Sequence, residues 1–324
     1  MIRPFSLRDG WRLHRLARRS ATLQIEHHLV RQRSPLWMAV TAPLPWHGSG
    51  AATFLHLGAG AEPGFVQALK RPGRAEADIL AIAPPPGESP QQDAVCLALL
   101  AHLIASAGGQ GIQRLFLCLP AQDPALPLAQ QSGFVAYIQE TLFHLTIAPP
   151  PSAPVGGIRR QRQEDSFALQ RLHSTYTPPL VQQAEGTLAA NGDPATPLDL
   201  HFWWQPEHTR GYVYEGQEGI TAAAFVRQGR SGHWLRLLGG AAGLEAVDHL
   251  LAQCLCDLAE APPHPIYCAL RPYQSSFGPL LRQRGFEPGP SLTRLVKHTT
   301  SFIKQPVATP ARELAEATTS PFGI

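Results

Sequence analysis

The octapeptide IRPFSLRD at residues 2–9 returns in related form as IRRQRQED at residues 158–165. In both copies five residues separate an Ile-Arg pair from an Asp, and a helical pattern follows. A second match, SGF at residues 132–134 and RGF at residues 284–286, lies near the other end of each copy. The offsets of 156 and 152 residues are nearly equal and the matches keep their order. An internal repeat therefore organises the chain.

A joint rich in Pro and Gly separates the two copies. Residues 148–157 read APPPSAPVGG, in which consecutive prolines favour an extended chain and the Gly pair ends it. We predict a first domain at residues 1–147, a linker at 148–157, a second domain at 158–300 and a flexible tail at 301–324. The length of 324 residues suits two domains, since one domain usually has about 100–200 residues.

Composition and charge exclude several classes of protein. A chain with 44% hydrophobic and 16% charged residues is not disordered. The formal net charge of +3 is small for a nucleic-acid-binding protein. Arginines at positions 12, 15, 18 and 19 cluster on the first predicted helix, and we interpret them as a solvated face. Nucleic-acid binding is therefore not expected.

The cysteines and the N-terminus suggest a location. The five cysteines are odd in number and lie in apolar segments, which is typical of buried thiols in a reducing compartment. No stretch reaches the roughly 20 apolar residues of a membrane span, and the N-terminus lacks the apolar core of a signal peptide. We expect a cytoplasmic protein without membrane association.

Hydrophobic periodicity gives each half the element order β-α-β-β-β-α-β-α-β. In the first half we predict helices and strands at residues 2–6, 9–30 (helix), 36–42, 51–57, 77–82, 93–106 (helix), 114–119, 125–132 (helix) and 135–145. In the second half we predict them at residues 156–160, 164–173 (helix), 212–215, 219–227, 233–238, 244–258 (helix), 266–270, 277–284 (helix) and 292–298.

This element order, with its opening Ile-Arg…Asp and its closing helix-Gly-Phe-strand, resembles the fold of the GCN5-related N-acetyltransferases (GNAT). The segment YTPPLVQQAEG at residues 176–186 is also similar to a segment of tandem GNAT proteins. The resemblance covers nearly the whole chain. It implies an α/β (α+β) protein of two tandem GNAT-like domains, each a mixed, mostly antiparallel twisted sheet flanked by helices.

The resemblance also implies acetyl-CoA or another acyl-CoA as co-substrate. In that family the pantetheine arm pairs with the fourth strand, and the pyrophosphate binds amides at the next helix N-terminus, behind a [RQ]-x-x-G-x-[GA] loop. Helix N-termini attract phosphate through free N–H groups and the helix dipole. In the first half the motif aligns with Gln91, Ala94 and Cys96. Gln91 fits its first position, but Ala94 replaces a Gly and Cys96 replaces a Gly or Ala. Glu88 and Asp93 would face a phosphate, so a decayed site is expected, with a working site as the alternative.

In the second half the equivalent run is LLGGAAG at residues 237–243. It has no Arg or Gln, but three glycines between a strand and a helix expose backbone amides that can hold an anion. We therefore expect the acyl-CoA in the second half. The predicted contacts are Leu237, Leu238, Gly239, Gly240 and Gly243.

Acyl transfer to an amine also needs an acid to protonate the leaving thiolate. Many GNAT enzymes use a Tyr four residues before the Gly-Phe pair, where this chain has Ala129 and Leu281. The Asn that often ends the fifth strand is missing too, because the single Asn of the chain is Asn191. We predict Tyr273, just after that strand in the second half, as the acid. The alternative is an amphipathic Tyr in a loop.

Carboxylates near the expected site are candidates for the base. We predict Glu185, with Glu76 and Asp78 of the first half as alternatives. We expect the acceptor site to be lined by Tyr176, Trp203 and Trp204. The alternative for the Trp pair is that it covers an edge of the apolar core. No H-x-x-x-H or C-x-x-C motif is present, so no metal site is expected.

The sequence thus predicts an acyl-CoA-dependent N-acyltransferase, most simply an N-acetyltransferase. The acceptor would be a small-molecule or peptide amine that attacks the thioester directly, without a metal. The two halves are expected to pack on each other, which would hide uncharged surface. The alternative is a catalytically inactive binding or interaction protein built on the same fold.

Overall fold

The computed structural model describes residues 1–42, 50–58, 62–149, 156–185, 209–217 and 219–299 of the chain. The first half contains β1 (Ile2–Pro4), α1 (Gly10–Ala17), β2 (Ala21–Thr22), α2 (Ile25–Val30), α3 (Pro35–Thr41), β3 (Ala51–His56), β4 (Gly64–Lys70), β5 (Glu76–Ala83), α4 (Pro90–Gly109), β6 (Arg114–Pro120), α5 (Ala125–Gln131) and β7 (Val135–Leu145).

The second half repeats this order with fewer elements described. It contains β8 (Ile158–Arg160), α6 (Ser166–Tyr176), α7 (Pro179–Ala184), β9 (Thr209–Gly216), β10 (Gly219–Arg227), β11 (His233–Gly239), α8 (Leu244–Ala259), β12 (Ile266–Leu270), α9 (Gly278–Gln283) and β13 (Glu287–His298). Single 3-10 turns precede α1, α6, α8 and α9. The mixture of helices and a mixed sheet confirms the predicted α/β class.

The repeated Ile-Arg…Asp sequence forms the same corner in both halves. Arg3 makes two hydrogen bonds to Asp9, of 2.8 and 2.7 Å, and Arg159 makes two to Asp165, of 2.7 and 2.8 Å. Each Asp also accepts a backbone N–H, from Ser6 in the first half and from Arg162 in the second. A bidentate ion pair with a backbone bond fixes the turn from strand to helix. The repeated residues are therefore the ones that shape this corner.

The repeated Gly-Phe pairs end the last helix of each half. Gly133 has φ 82° and Gly285 has φ 88°, the left-handed conformation that glycine adopts after a helix. The next residue, Phe134 or Phe286, is buried in the core of its half and donates its N–H to a helix carbonyl. This cap turns the chain into β7 or β13.

The last strands of the two halves are exchanged. The strand order is β1-β3-β4-β5-β6-β13-β7-β12-β11-β10-β9-β8, with β2 pairing separately with β5. Thus β13, from the end of the second half, pairs with β6 of the first, and β7 pairs with β12 of the second. The exchanged strands β7 and β13 also pair with each other. One continuous sheet therefore crosses both halves.

The three largest apolar clusters of the described residues lie on this sheet. The first packs α4 and α5 on the first half, and the second packs α8 and α9 on the second half. The third combines both halves, with Val30 and Leu80 from the first and Leu169, Phe225 and Trp234 from the second. Adjacent residues of a strand face opposite sides of a sheet, so the first and third clusters lie on opposite faces. This shared core confirms that the halves pack on each other.

Two predicted elements in the first half are wrong, and a third element was not predicted. The helix predicted at residues 9–30 is interrupted after Ala17, and β2 lies within it. The strand predicted at residues 36–42 is the helix α3, because Pro35 occupies a first-turn position and a short apolar run fits either structure. The buried strand β4 was not predicted. Its residues have no alternation of apolar and polar side chains, because both faces are covered.

Helix α4 is long and apolar enough to span a membrane by length and composition alone. In the structure it packs against β3 and β4, and Val95, Leu99 and Leu103 of its sequence lie in the first apolar cluster. Its apolar composition is thus explained by the core of the first half.

The strand exchange predicts that neither half is a stable monomer. Residues 1–149 alone would leave β6 without β13 and β7 without β12, and exposed strand edges associate. We expect each half, expressed alone, to aggregate or self-associate, and the two halves, co-expressed, to form a one-to-one complex. Light scattering after gel filtration measures this. The prediction would be contradicted if each half were folded and monomeric alone and the two halves did not associate.

Candidate functional site

In the first half, the chain itself occupies the gap between the two parallel strands. Strands β5 and β6 pair only at residues 76–78 and then diverge. Residues 21–24, which we call the inserted segment, lie between them. Ala21 and Thr22 pair with β5, the Leu23 N–H donates to the Leu80 carbonyl at 2.8 Å, and the Cys118 N–H donates to the Leu23 carbonyl at 3.0 Å. These backbone groups are the ones that a pantetheine arm would need.

The inserted segment is anchored by a buried polar cluster. Gln24 Nε2 donates to Asp78 Oδ1 at 2.8 Å, and Arg71 binds the same carboxylate through two hydrogen bonds of 2.9 and 2.7 Å. Arg71 also donates to Glu76 at 2.8 Å. The two carboxylates considered as alternative bases are therefore buried partners of an arginine. Removing the segment would leave Asp78 with one fewer hydrogen bond and reopen the gap.

The loop before α4 satisfies its own N–H groups. The Gly87 N–H donates to Asp93 Oδ1 at 2.8 Å, and the Gln92 N–H donates to the Ser89 hydroxyl at 3.3 Å. An acidic side chain thus stands where a phosphate would bind, as the sequence indicated for Asp93. The Cys96 thiol donates to the Pro84 carbonyl at 3.2 Å, and burial raises its pKa to about 12.

The other two predicted motif positions of this loop point to solvent. Gln91 and Ala94 are exposed. A cavity of about 1050 Å³ opens beside the loop, between α1 and the end of β5. It is lined by basic residues, among them Arg12 and Arg15, but also by Glu62 and Glu88. This cavity therefore combines basic and acidic groups, and it lies outside the gap that the inserted segment occupies.

In the second half the described residues leave a cavity in the corresponding gap. Strands β11 and β12 pair at residues 233–235 and then diverge. Among the described residues no backbone segment pairs with β11 beyond that point on this side. A cavity of about 40 Å³ lies here, and about 10–15 Å³ is enough for one water molecule. Its lining includes His173, Thr177, Glu185, Leu237, Leu238, Arg271, Tyr273 and Gln274.

The structure therefore brings together several predicted site residues. Leu237 and Leu238 of the predicted acyl-CoA strand lie beside Tyr273 and Glu185, the predicted acid and base. The Leu237 carbonyl accepts a hydrogen bond from Gln274 Nε2 at 2.8 Å. A pantetheine arm that pairs with this carbonyl has to displace the Gln274 amide, which makes Gln274 a residue that sequence reasoning missed.

The three glycines of the loop have different roles. A Cβ at Gly239 would lie 3.1 Å from Val247, so this glycine allows close packing of α8 on β11. A Cβ at Gly240 would overlap the ring of Tyr176, so this glycine makes room for the predicted acceptor residue. A Cβ at Gly243 would meet nothing within 4 Å. Gly243 begins α8 without a side-chain cap, and Glu245 places one acidic side chain in the first turn of the helix.

Glu185 is held in its ionised form. Both of its oxygens accept hydrogen bonds from Arg271, and Tyr137 Oη donates to it at 3.3 Å. Burial tends to raise the pKa of Glu185, but the attraction of Arg271 and its hydrogen bonds outweigh burial and lower that pKa to about 2. A carboxylate in this state is a weak proton acceptor at neutral pH.

Tyr273 has the geometry of a hydrogen donor. Arg271 Nη1 donates to Tyr273 Oη at 2.9 Å. A guanidinium has no acceptor atom, so the phenol proton points elsewhere and is available to another acceptor.

His173 and Thr177 are two further polar groups of the cavity. His173 Nδ1 and Thr177 Oγ1 are buried without a hydrogen-bond partner in the described part of the chain. Burial lowers the pKa of His173 to about 4, so the imidazole is neutral at pH 7. Buried polar atoms usually have a partner, so the cavity has room for a group that bonds to them. Thr177 was not predicted from the sequence as a site residue.

A row of alternating charges connects this cavity to the first half. It consists of Glu26, Arg294, Glu140, Arg271 and Glu185, and we call it the buried ion row. Glu26 contacts Arg294 at 2.8 Å, Arg294 contacts Glu140 at 2.7 Å, and Glu140 contacts Arg271 at 2.9 Å. Arg271 then contacts Glu185. Glu140 and Arg294 lie on the exchanged strands β7 and β13, so the strand exchange positions Arg271 in the site.

Comparison with known proteins was made on sequence and on structure. No family model matches the sequence, and no functionally characterised protein matches it significantly. Among solved structures, a GCN5-related N-acetyltransferase from Sphaerobacter thermophilus aligns over 92% of this chain and 95% of its own, with 16% identity and a TM-score of 0.52.

The chain has the GNAT fold. This confirms the resemblance that its element order indicated. A tandem GNAT protein from the clavulanic acid biosynthesis pathway, solved without AcCoA, also aligns over 92% of this chain and 98% of its own, with 15% identity and a TM-score of 0.47. At these identities the likeness concerns the fold.

The two positions at which the resemblance implies a Tyr are apolar and buried here. Ala129 and Leu281, which replace the usual Tyr, lie in the cores of their halves. Trp203, Trp204 and Asn191 lie outside the described residues. Among the residues that the structure does describe, no group of three metal-binding side chains is found.

His173 gives the protein a specific dependence on pH. Its pKa is near 6.5 in an unfolded chain and about 4 in the folded one, so acid favours the unfolded state below pH 6.5. The His173 contribution should lower the free energy of unfolding by about 2 kcal/mol between pH 7.5 and pH 5. Urea unfolding at the two pH values should show a smaller loss for His173→Gln by about that amount.

The exposed His14 provides the matched control. His14→Gln should keep the full loss of stability between pH 7.5 and pH 5, because His14 is exposed and lies outside the cavity that holds His173. An unchanged pH dependence in His173→Gln would contradict the burial of a neutral His173.

Proposed function

We propose that the protein is an acyl-CoA-dependent N-acyltransferase whose single working site lies in the second half. The observation that carries this is the contrast between the two gaps. The first is filled by residues 21–24, whereas the second opens into a polar cavity beside Leu237 and Leu238. A tandem GNAT chain with one filled and one open gap is expected to bind one acyl-CoA.

The α8 N-terminus supports the placement of the coenzyme A phosphates. Gly243 leaves open space there, and no side chain caps the helix. In contrast, Asp93 and Ser89 already satisfy N–H groups at the start of α4. The pyrophosphate would bind the free amides of α8, and the pantetheine arm would run along β11 once Gln274 moves.

The chemistry would be direct transfer. The amine nitrogen attacks the thioester carbonyl carbon, the C–S bond breaks, and the sulfur takes a proton. Tyr273 would supply that proton, with its phenol oxygen held by Arg271, and the proton released by the attacking nitrogen would return to the phenol oxygen. Neutral His173 would accept a hydrogen bond from the attacking amine through Nδ1. Glu185 would position Arg271 and not act as the base, because its carboxylate is bound to that arginine.

Calorimetry with acetyl-CoA tests the location of the site. We expect one molecule per chain. Gly243→Asp should weaken binding at least tenfold, because its carboxylate caps α8 and repels phosphate. Ala94→Asp, the matched change at the exposed start of α4, should leave binding unchanged. No binding at about 1 mM, or loss through Ala94→Asp alone, would contradict the proposal.

Turnover on a panel of amines tests Tyr273. Tyr273→Phe should lower kcat at least tenfold, since loss of a general acid typically costs 10²–10⁴ in rate, while acetyl-CoA affinity stays within twofold. An unchanged kcat would show that Tyr273 is not the general acid.

A non-catalytic binding protein is the second candidate. It is favoured by the apolar Ala129 and Leu281 at the usual Tyr positions, which are buried and cannot donate a proton. One acetyl-CoA bound per chain with no transfer to any amine of a broad panel would select this function over the first.

A further inference from the structure

The first half contains a polar cavity that the acyl-transfer proposal does not use. It has a volume of about 370 Å³ and lies between α1–α3 and the strands β4 and β5. Thr22 and Gln24 of the inserted segment form part of its wall. The segment that blocks the thioester gap therefore completes this second cavity.

Three adjacent strands build the floor of the cavity. Gln67 of β4 lies opposite Ala81 of β5, and Ala81 lies opposite Thr22 of β2. Residues opposite each other on neighbouring strands face the same side, so these three side chains form one row. With strands about 4.8 Å apart, the row is about 10 Å wide. Gln24 lies two residues beyond Thr22 and therefore on the same face.

Two buried amide oxygens need a hydrogen-bond donor. Gln24 Oε1 and Gln67 Oε1 have no hydrogen-bond partner among the described residues, and the side chains are 3% and 0% exposed. Their orientation is fixed, because Gln24 Nε2 donates to the Asp78 carboxylate and Gln67 Nε2 donates to the Pro35 carbonyl at 2.9 Å. Rotating either amide would place oxygen against oxygen. Whatever occupies the cavity should therefore donate hydrogen bonds to these oxygens.

The wall around this floor is basic. Arg18, Arg31 and Arg33 line the cavity together with His27 and His28. No Asp or Glu is found among the described residues that line it. This environment attracts an anion and disfavours an ammonium group. The donors that meet the two glutamine oxygens should therefore be hydroxyl groups.

We propose that this cavity binds a small polyhydroxylated anion, such as a sugar acid or a sugar phosphate. Its carboxylate or phosphate lies against the arginines, and its hydroxyl groups donate to Gln24 and Gln67. The ligand is bound and not acylated at this place, because the inserted segment keeps a thioester out of the adjoining gap. The site thus has a binding role separate from the proposed transferase centre.

Calorimetry on the full-length protein with four probes tests whether binding needs both the negative charge and the hydroxyl groups of the ligand. D-gluconate and glucose 6-phosphate carry both charge and hydroxyl groups, and they distinguish a carboxylate from a phosphate ligand. Sorbitol has hydroxyl groups without charge, and inorganic phosphate has charge without carbon-bound hydroxyl groups. We expect one or both of the first pair to bind at least tenfold more tightly than sorbitol and phosphate. Equal affinity for all four, or no binding, would overturn the proposal.

Charge-reversal variants place the ligand. Arg18 is exposed and lines the cavity, whereas Arg8 is exposed and lies outside its lining. Arg18→Glu should weaken the tighter probe at least tenfold, and Arg8→Glu should leave its affinity within twofold, which controls for net charge. Equal effects of the two changes would overturn the proposal.

Competition separates this proposal from the transferase. A saturating concentration of the tighter probe should leave the number of acetyl-CoA molecules bound unchanged, and Gly243→Asp should leave the affinity for the probe unchanged. Displacement of one ligand by the other would contradict two separate sites. If the protein binds the probe but does not bind acetyl-CoA, the result supports the proposed ligand site in this cavity and contradicts only the transferase proposal.

Discussion

The buried ion pairs of Glu140 hold the two halves and the candidate site together. Glu140 lies on β7 and binds Arg294 of β13 and Arg271 at the end of β12, with all three side chains almost completely buried. Buried charges are tolerated only when they are paired, so each member requires the others. Burial tends to raise the pKa of Glu140, but the two arginines lower it. The strand exchange brings these three residues together.

The two halves share the same corner and cap but differ in the segment that follows their first helix. Both begin with the same Arg–Asp corner and both end with the same Gly-Phe cap. After the first helix, however, the first half returns as a strand into the gap between β5 and β6. The second half places Thr177 and Glu185 beside a cavity at the same point. Backbone hydrogen bonds thus close the gap in the first half. In the second half, the described residues place polar side chains around a cavity.

The sequence predicted most of the fold because its signals are local. The Ile-Arg…Asp motif and the Gly-Phe pair each encode a corner through contacts within a few residues. The helices α4 and α8 follow from apolar spacing. The exchange of β7 and β13 was not predictable, because a strand pattern carries no information on which neighbour it pairs with. The helix α3 was missed because a short apolar run suits either structure.

The sequence predicted some of the residues that line the second-half cavity. Leu237, Leu238, Tyr273 and Glu185 were placed together by analogy of position. The role of Glu185 changes because Arg271, 86 residues away, keeps it ionised. The inserted segment and Gln274 were not foreseen, since residues 21–24 look like the continuation of a helix and a single Gln gives no signal. Such long-range pairings require the three-dimensional structure.

The central claim is that acyl-CoA enters the second half and is kept out of the first by the inserted segment. Hydrogen–deuterium exchange with and without acetyl-CoA tests it most directly, since each gap has its own helix N-terminus. Protection at residues 239–246, with residues 87–94 unchanged, is the predicted result. Protection at residues 87–94 together with faster exchange in residues 21–24 would show that the ligand displaces the inserted segment, which contradicts the account.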